Sequence, residues 1–352
     1  MNFTRDVLRK TGLKLVITIA FIPLFATTLY AADKDAELMN RAKTVLGALP
    51  ASMPSPDNPI TPQKVKLGMT LFWEPRISVD RTVSCVKCHP LGLYAADGLR
   101  KAIGNNCKEN PRNSPTILNA ASQISEHWIG NRTSVEDQAK QALTGPPSFG
   151  MPDYLSVEKI LKGMKGYVVL FKAAFPEDKD PVTVDNFAKA VGAFERTLVT
   201  PSAFDDFLQG KTAALNAEQK RGLKAFLDTG CVTCHFGPFM GGQMYQKFGM
   251  FEPYEKYTKS EKVDEGRSAV TKNPAEKFFF KVPVLRNVAE TPPYFHDGSV
   301  NKLADAVTIM AKIQLGKDIT REQAGDLVAF LSSLTGRIPQ AVLTAPVLPS
   351  ED

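Results

Sequence analysis

The string C-x-x-C-H occurs twice in this chain, as SCVKCHP with Cys85, Cys88 and His89, and as GCVTCHF with Cys231, Cys234 and His235. Together they use four of the five cysteines and two of the four histidines. Two thiols three residues apart on one helical turn reach the two vinyl groups of a haem. The adjacent imidazole then points at the iron as its proximal ligand. Other uses of the string fit less well. A zinc site needs its two pairs roughly 15–20 residues apart, and these stand 146 apart. A thioredoxin-like site needs one pair in a βαβ pattern, which is missing. Simple disulfides need no histidine at the same offset twice. The strings therefore predict two covalently bound haem c groups.

Such attachment suits an exported protein, and the first residues read as a leader. Arg5, Arg9, Lys10 and Lys14 make a positive n-region, the run LKLVITIAFIPLF from Leu13 to Phe25 is apolar, and Ala31 follows at a small-residue cleavage point. The run is short for a membrane span, which takes about 20 apolar residues, and Pro23 interrupts it. Residues 1–31 are expected to be a signal peptide and the mature chain periplasmic. The chain carries a formal +6, and removing the leader, with four positive charges and Asp6, leaves about +3. That is too mild for a nucleic-acid partner, and no basic stripe interleaved with aromatics appears. It is compatible with brief docking to a small redox protein.

The rest reads as helices joined by long loops. Thr61 and Pro62 open a helix, as do Ser134 with Asp137, and Asn216, whose helix stops at Gly230. VDNFAKAVGAFERTL (184–198) spaces Phe187, Val191 and Phe194 helically. Thr320 and Gln323 form a capping box for a helix predicted to stop at Gly336. No run of alternating strands is evident. A weak repeat stands out. LGMTLF precedes the first haem string and GLKAFL the second, while FAKAVGAFERTL and LVAFLSSLTG close the two halves. Helix, haem string, loops and closing helix is the order of a class I cytochrome c. The expected fold is all-α, with two such units at 32–199 and 200–336 and a tail at 337–352. A loop-rich stretch, 236–300, follows the second string, and long loops of this kind commonly line cofactors. Met240, Met244, Met250 and Met310 are candidates for the far side of the second iron. Met310 shares a helical stripe with Leu303, Ala306 and Val307, which a core methionine would also do.

LGMTLFWEPRIS, PRNSPTILNAA, HWIGNR, EDQAKQAL, AFERTLVTP, VPVLRNVAETPPYFHDGS and AVTIMAKIQLG, with the two haem strings, span nearly the whole mature chain. In these segments it closely resembles the bacterial di-haem cytochrome c peroxidases. The resemblance implies two helical cytochrome domains, a C-terminal tail folded back on the first, and a homodimer. It implies reduction of hydrogen peroxide, with electrons from a small periplasmic cytochrome c or copper protein. His235 and Met310 would ligate the high-potential C-terminal haem iron and His89 the N-terminal one; thioether sulfur raises potential. Trp128 matches the tryptophan between the haems. Asn113, with carbonyls of Thr291 and Pro293, matches an inter-domain calcium site, and hard oxygen ligands suit calcium. His296 matches a histidine near the C-terminal haem.

The chain departs from that family at two catalytic positions. Where the N-terminal haem usually has a distal histidine, IGNNCKENPRN offers Asn105. Where a glutamate usually serves as acid and base, Ser148 or Gly150 stands instead, while Gln138 of the preceding element is retained. His127 and Asp153 are possible substitutes for the glutamate, and Met151, Lys108 or Cys107 could face the first iron. Two functions follow: a peroxidase with an open N-terminal haem, reducing peroxide or using it to oxidise a partner, or a di-haem electron carrier or sensor that has lost peroxide chemistry. Retention of Met310 separates the chain from the methylamine-dehydrogenase maturase branch, which has tyrosine there.

Overall fold

The structure, a computed structural model, describes residues 22–260 and 262–351. The expected leader lies outside the described residues up to 21, and its last part begins a helix running Ile22–Val45. Among the described residues no helix is long and apolar enough to cross a membrane.

Two helix crossings organise the molecule. Pro62–Phe72 packs across Val184–Glu195, and Ala217–Thr229 packs across Arg321–Ser332. A glycine makes each crossing close. A Cβ on Gly68 would stand 1.9 Å from the Ala190 carbonyl oxygen, and one on Gly222 would stand 1.8 Å from that of Asp326. Four residues beyond each carbonyl, Phe194 and Phe330 close over the same glycine. The weak sequence repeat is thus a repeat of packing geometry, in which helix backbones touch where no side chain intervenes.

The helix starts follow their capping residues. Thr61 accepts from the Lys64 amide at 3.2 Å, and Ser134 from that of Asp137 at 3.1 Å. Asn216 with Gln219 and Thr320 with Gln323 form reciprocal capping boxes. Gly230 ends its helix at φ 107°, a left-handed conformation that glycine adopts without a Cβ penalty. Gly336 does something else. Its helix ends earlier, at Ser332, and Gly336 lies against the Thr200 backbone, where a Cβ would meet the carbonyl oxygen at 2.1 Å.

The structure is mostly helical, in line with the all-α expectation, with one short two-stranded sheet among the described residues. Tyr245–Lys247 pairs antiparallel with Phe279–Lys281. Three residues are too few for alternation to show in sequence, and aromatic residues favour such a pleated, half-buried pair.

Among the described residues two large hydrophobic cores form, with two smaller clusters beside them. The first gathers Leu67, Phe72, Leu143, Tyr167 and Phe194. The second gathers Phe204, Leu223, Phe226, Leu327 and Phe330. Ala42 and Leu46 belong to the second core, and Arg41 and Asp35 pair with Asp228 and Lys220 at 2.6 Å each. The chain therefore packs against the later core before building the earlier one, although 32–199 reads in sequence as one unit. The tail joins the first core through Val342, and Arg76 donates to the Pro349 carbonyl at 2.8 Å.

Candidate haem-binding cavity

Each C-x-x-C-H string folds as a single helical turn, closed by His89 N–H to the Cys85 carbonyl at 2.9 Å and by His235 N–H to that of Cys231 at 3.0 Å. The turn brings each histidine back beside its cysteines. Past each turn the chain reverses through a residue with positive φ, Ala95 at 56° and Met240 at 55°. The carbonyl of that residue meets the imidazole: His89 Nδ1 lies 3.1 Å from the Ala95 oxygen and His235 Nδ1 lies 3.2 Å from the Met240 oxygen. A backbone carbonyl can only accept, so Nδ1 carries the proton and Nε2 keeps its lone pair. Burial lowers the pKa of both rings, that of His235 to about 4, so both are neutral, as an iron ligand must be.

One cavity of about 690 Å³ takes in His89, Cys88, His235, Cys231 and Cys234. Among the described residues none of the cysteines is in a disulfide, and burial pushes the Cys88 and Cys231 thiols up to about 11. Two buried polar atoms on the wall have no hydrogen-bond partner among the described residues, Arg132 Nε and His296 Nε2. A purely apolar ligand would leave them unsatisfied, at a cost. Haem, with apolar faces and two carboxylates, suits such a wall. Neutral imidazoles with free Nε2, adjacent thiols and orphaned donors make a site whose residues fit the group.

Part of the cavity wall is aromatic. Trp128 donates its indole N–H to the Asn113 carbonyl at 2.9 Å, and its ring centre lies 6.4 Å from that of His296. His296 stacks on Phe280 at 4.3 Å and meets Tyr254 edge-on at 5.3 Å. Met310, on the Leu303–Leu315 helix, lines the cavity together with His235. Gln138 reaches it from Val135–Ala142. Asn113, Thr291 and Pro293 also line it, with the Asn113 side-chain amide donating to the Leu99 carbonyl at 2.9 Å. Among the described residues no cluster of three His, Cys, Asp or Glu is disposed to hold a metal ion.

Asn105 is elsewhere. It is fully buried, yet it is not on the cavity wall. Its amide donates to the Pro146 and Ser148 carbonyls at 2.6 and 2.8 Å, and its oxygen accepts from Asn106. Asn105 thus clamps the 105–107 turn to the 146–148 loop. Met151 is in the first core, Cys107 and Lys108 are exposed, and none of the three lines the cavity. Asp153 caps the helix Tyr154–Gly163 by accepting from the Ser156 amide at 2.7 Å. His127 does line the cavity, with Nδ1 held 2.9 Å from Asn131 Oδ1. Burial pushes its pKa to about 4, so it is a neutral ring.

Sequence reasoning missed two acids on the wall, Glu126 and Glu195. Glu126 pairs with Lys281 at 3.6 Å. Glu195 carried a usable signal: it follows Val191 by four residues and so stands on the buried stripe of its helix, where a carboxylate is out of place.

A helical fold with two C-x-x-C-H turns opening on one cavity defines a two-haem c-type cytochrome. The di-haem cytochrome c peroxidase family matches residues 62–213. Cytochrome c551 peroxidase of Pseudomonas aeruginosa is 40% identical over 328 residues, 93% of each chain. The protein of that name from Nitrosomonas europaea is 39% identical, over 86% of this chain and 90% of its own. The methylamine utilization protein MauG of Methylorubrum extorquens is 33% identical, over 85% and 86%. Among solved structures, a MauG-like protein associated with microbial copper homeostasis superposes with TM-score 0.75 at 26% identity, over 85% of this chain and 97% of that one. The diheme peroxidase BthA of Burkholderia thailandensis shares the fold at TM-score 0.66 and 20% identity, over 87% and 99%. This chain belongs to the di-haem cytochrome c peroxidase family, an oxidoreductase family whose members carry two haem c groups.

Proposed function

We propose that the protein is a periplasmic di-haem peroxidase. It reduces hydrogen peroxide, or uses it to oxidise a partner, at the haem held by Cys85, Cys88 and His89. Electrons enter through the haem held by Cys231, Cys234, His235 and Met310, supplied by a small cytochrome c or copper protein. The observation that carries this reading is the single cavity joining the two haem turns, together with the absence from its wall of Asn105, Met151, Lys108 and Cys107. Bound by these residues, the haems would pass on the donor's electrons and supply the redox chemistry on peroxide.

The chain's own residues do the rest. His89 and His235 present Nε2 because the Ala95 and Met240 carbonyls hold their other nitrogen. Trp128 serves as an electron path between the haems, and His296 packs beside it as a structural residue. Gln138 offers a neutral amide to a bound peroxide. Asn113, with the Thr291 and Pro293 carbonyls, forms a calcium site that fixes the loops beneath Trp128. The protein works as a homodimer.

The test is steady-state turnover of the holoprotein with peroxide and a reduced small cytochrome. A rate well above that of a free haem peptide is expected, and a rate no better would sink the reading. The missing glutamate in the 146–150 loop favours a second one, a carrier or sensor. That reading requires a six-coordinate, low-spin N-terminal haem, and a high-spin ferric signal in resting EPR would exclude it.

A further inference from the structure

We infer that Glu195 is the proton donor to peroxide in the N-terminal half of the cavity, in place of the glutamate missing from the 146–150 loop. The inference rests on the peroxidase reading above.

Glu195 is the last residue of the Val184–Glu195 helix, which packs on both Pro62–Phe72 and Val135–Ala142. Only 4% of it is exposed, yet it lines the cavity. Among the described residues its carboxyl makes no hydrogen bond, and its oxygens are not among the fully enclosed unpaired atoms, which leaves them open to the cavity that the residue lines. An unpartnered carboxyl facing an internal cavity is placed to bond with whatever enters it. Its helix packs on the one that brings Gln138 to the same cavity.

The other polar groups on that wall are less suited. Glu126 is engaged by Lys281 and by Gln123, 3.3 Å away. His127 is neutral and tethered to Asn131. Gln138 has no acidic proton, and Arg132 does not release one at neutral pH. The charged neighbours of Glu195 act on it together. Burial raises its pKa well above the usual range, the charges of Glu126 and Glu136 raise it further, and Arg196 opposes them. Glu136 is itself held as a carboxylate by Arg196, at 2.8 and 2.9 Å. These influences favour the protonated form, which a general acid must have.

The step balances as follows. Hydrogen peroxide takes two electrons, which reach the site from a reduced small c-type cytochrome, and the O–O bond breaks. The departing oxygen takes the Glu195 proton and leaves as water. A second proton, from solvent, completes the other water, and a further solvent proton restores Glu195.

The experiment compares the wild-type holoprotein with Glu195→Gln, which keeps the shape and removes the acid. Glu126 also titrates near neutrality, at about 7, so the infrared comparison is made on a Glu126→Gln background, where a protonated-carboxyl band at neutral pH should be lost on adding Glu195→Gln. Peroxide turnover should fall by about 10²–10⁴-fold with an unchanged Soret spectrum. Wild-type turnover in Glu195→Gln, or a band that survives the substitution, would overturn the inference while leaving the peroxidase reading intact. A wild type no faster than haem peptide would overturn both. Should Glu195→Gln fail to retain haem, rapid-mixing infrared on the reduced Glu126→Gln protein decides: the band should bleach as peroxide is consumed, and a band that persists refutes the assignment.

Discussion

Arg286→Met should cost the folded protein about 4 kcal/mol, within the range of about 3–5 kcal/mol for removing one partner of a buried ion pair. Arg286 is fully buried and grips Asp205 with both ends of its guanidinium, at 2.7 and 3.1 Å. It also donates to the Pro238 carbonyl at 2.9 Å. After the substitution Asp205 keeps the Leu49 and Ser202 amides and the Ser202 hydroxyl, which moderates the loss. The Pro238 carbonyl loses its donor, which adds about 1–3 kcal/mol. Pro238 lies between His235 and Met240, so the loop that orients the second imidazole loosens as well. The assay is guanidinium unfolding of the holoprotein, read as a change in midpoint at constant slope. Adding Asp205→Asn should recover at least half of the loss, because the buried charge is then gone from both sides. A loss below about 1 kcal/mol, or strict additivity in the double variant, would refute the reasoning from buried charge.

Burial is the main cause that holds the folded-state pKa of Glu126 at about 7, against a reference of 4.5. Its unfolded form ionises first, so between those values the native state binds the extra proton and stability falls as pH rises. Glu126→Gln should flatten that decline in denaturation midpoints measured across the window; an unchanged slope would count against it. Gly68→Ala and Gly222→Ala drive a Cβ into equivalent backbone carbonyls and should each destabilise by about 1–3 kcal/mol or more, seen as lowered thermal midpoints; an unshifted midpoint in either would break the equivalence of the two crossings. Cys107 is exposed and in no disulfide, so Cys107→Ser should retain two haems through denaturing electrophoresis, and loss of one would overturn the thioether assignments.

What was legible in the sequence is what local chemistry dictates. Capping residues set the helix starts, because a side-chain oxygen three residues before an amide has one geometry available to it. The haem turns were legible because two thiols and an imidazole must share one turn to meet one ring. What stayed hidden depends on partners far along the chain. Nothing near Ala42 says that it joins the same core as Phe330, and Gly336 looks like a helix stop until Thr200 is seen against it. Asn105 shows the limit most clearly. The family resemblance puts it where an iron ligand is expected, but its amide donates to two carbonyls some forty residues away, so the residue serves as a clamp. The loop that this clamp holds is the one lacking the catalytic glutamate, so both departures fall in one small region. The compensating acid then has to come from a different element, and Glu195 is supplied by the helix that crosses at Gly68. The repeated helical frame thus constrains which residues can reach the cavity, while the loops between its helices have been free to change.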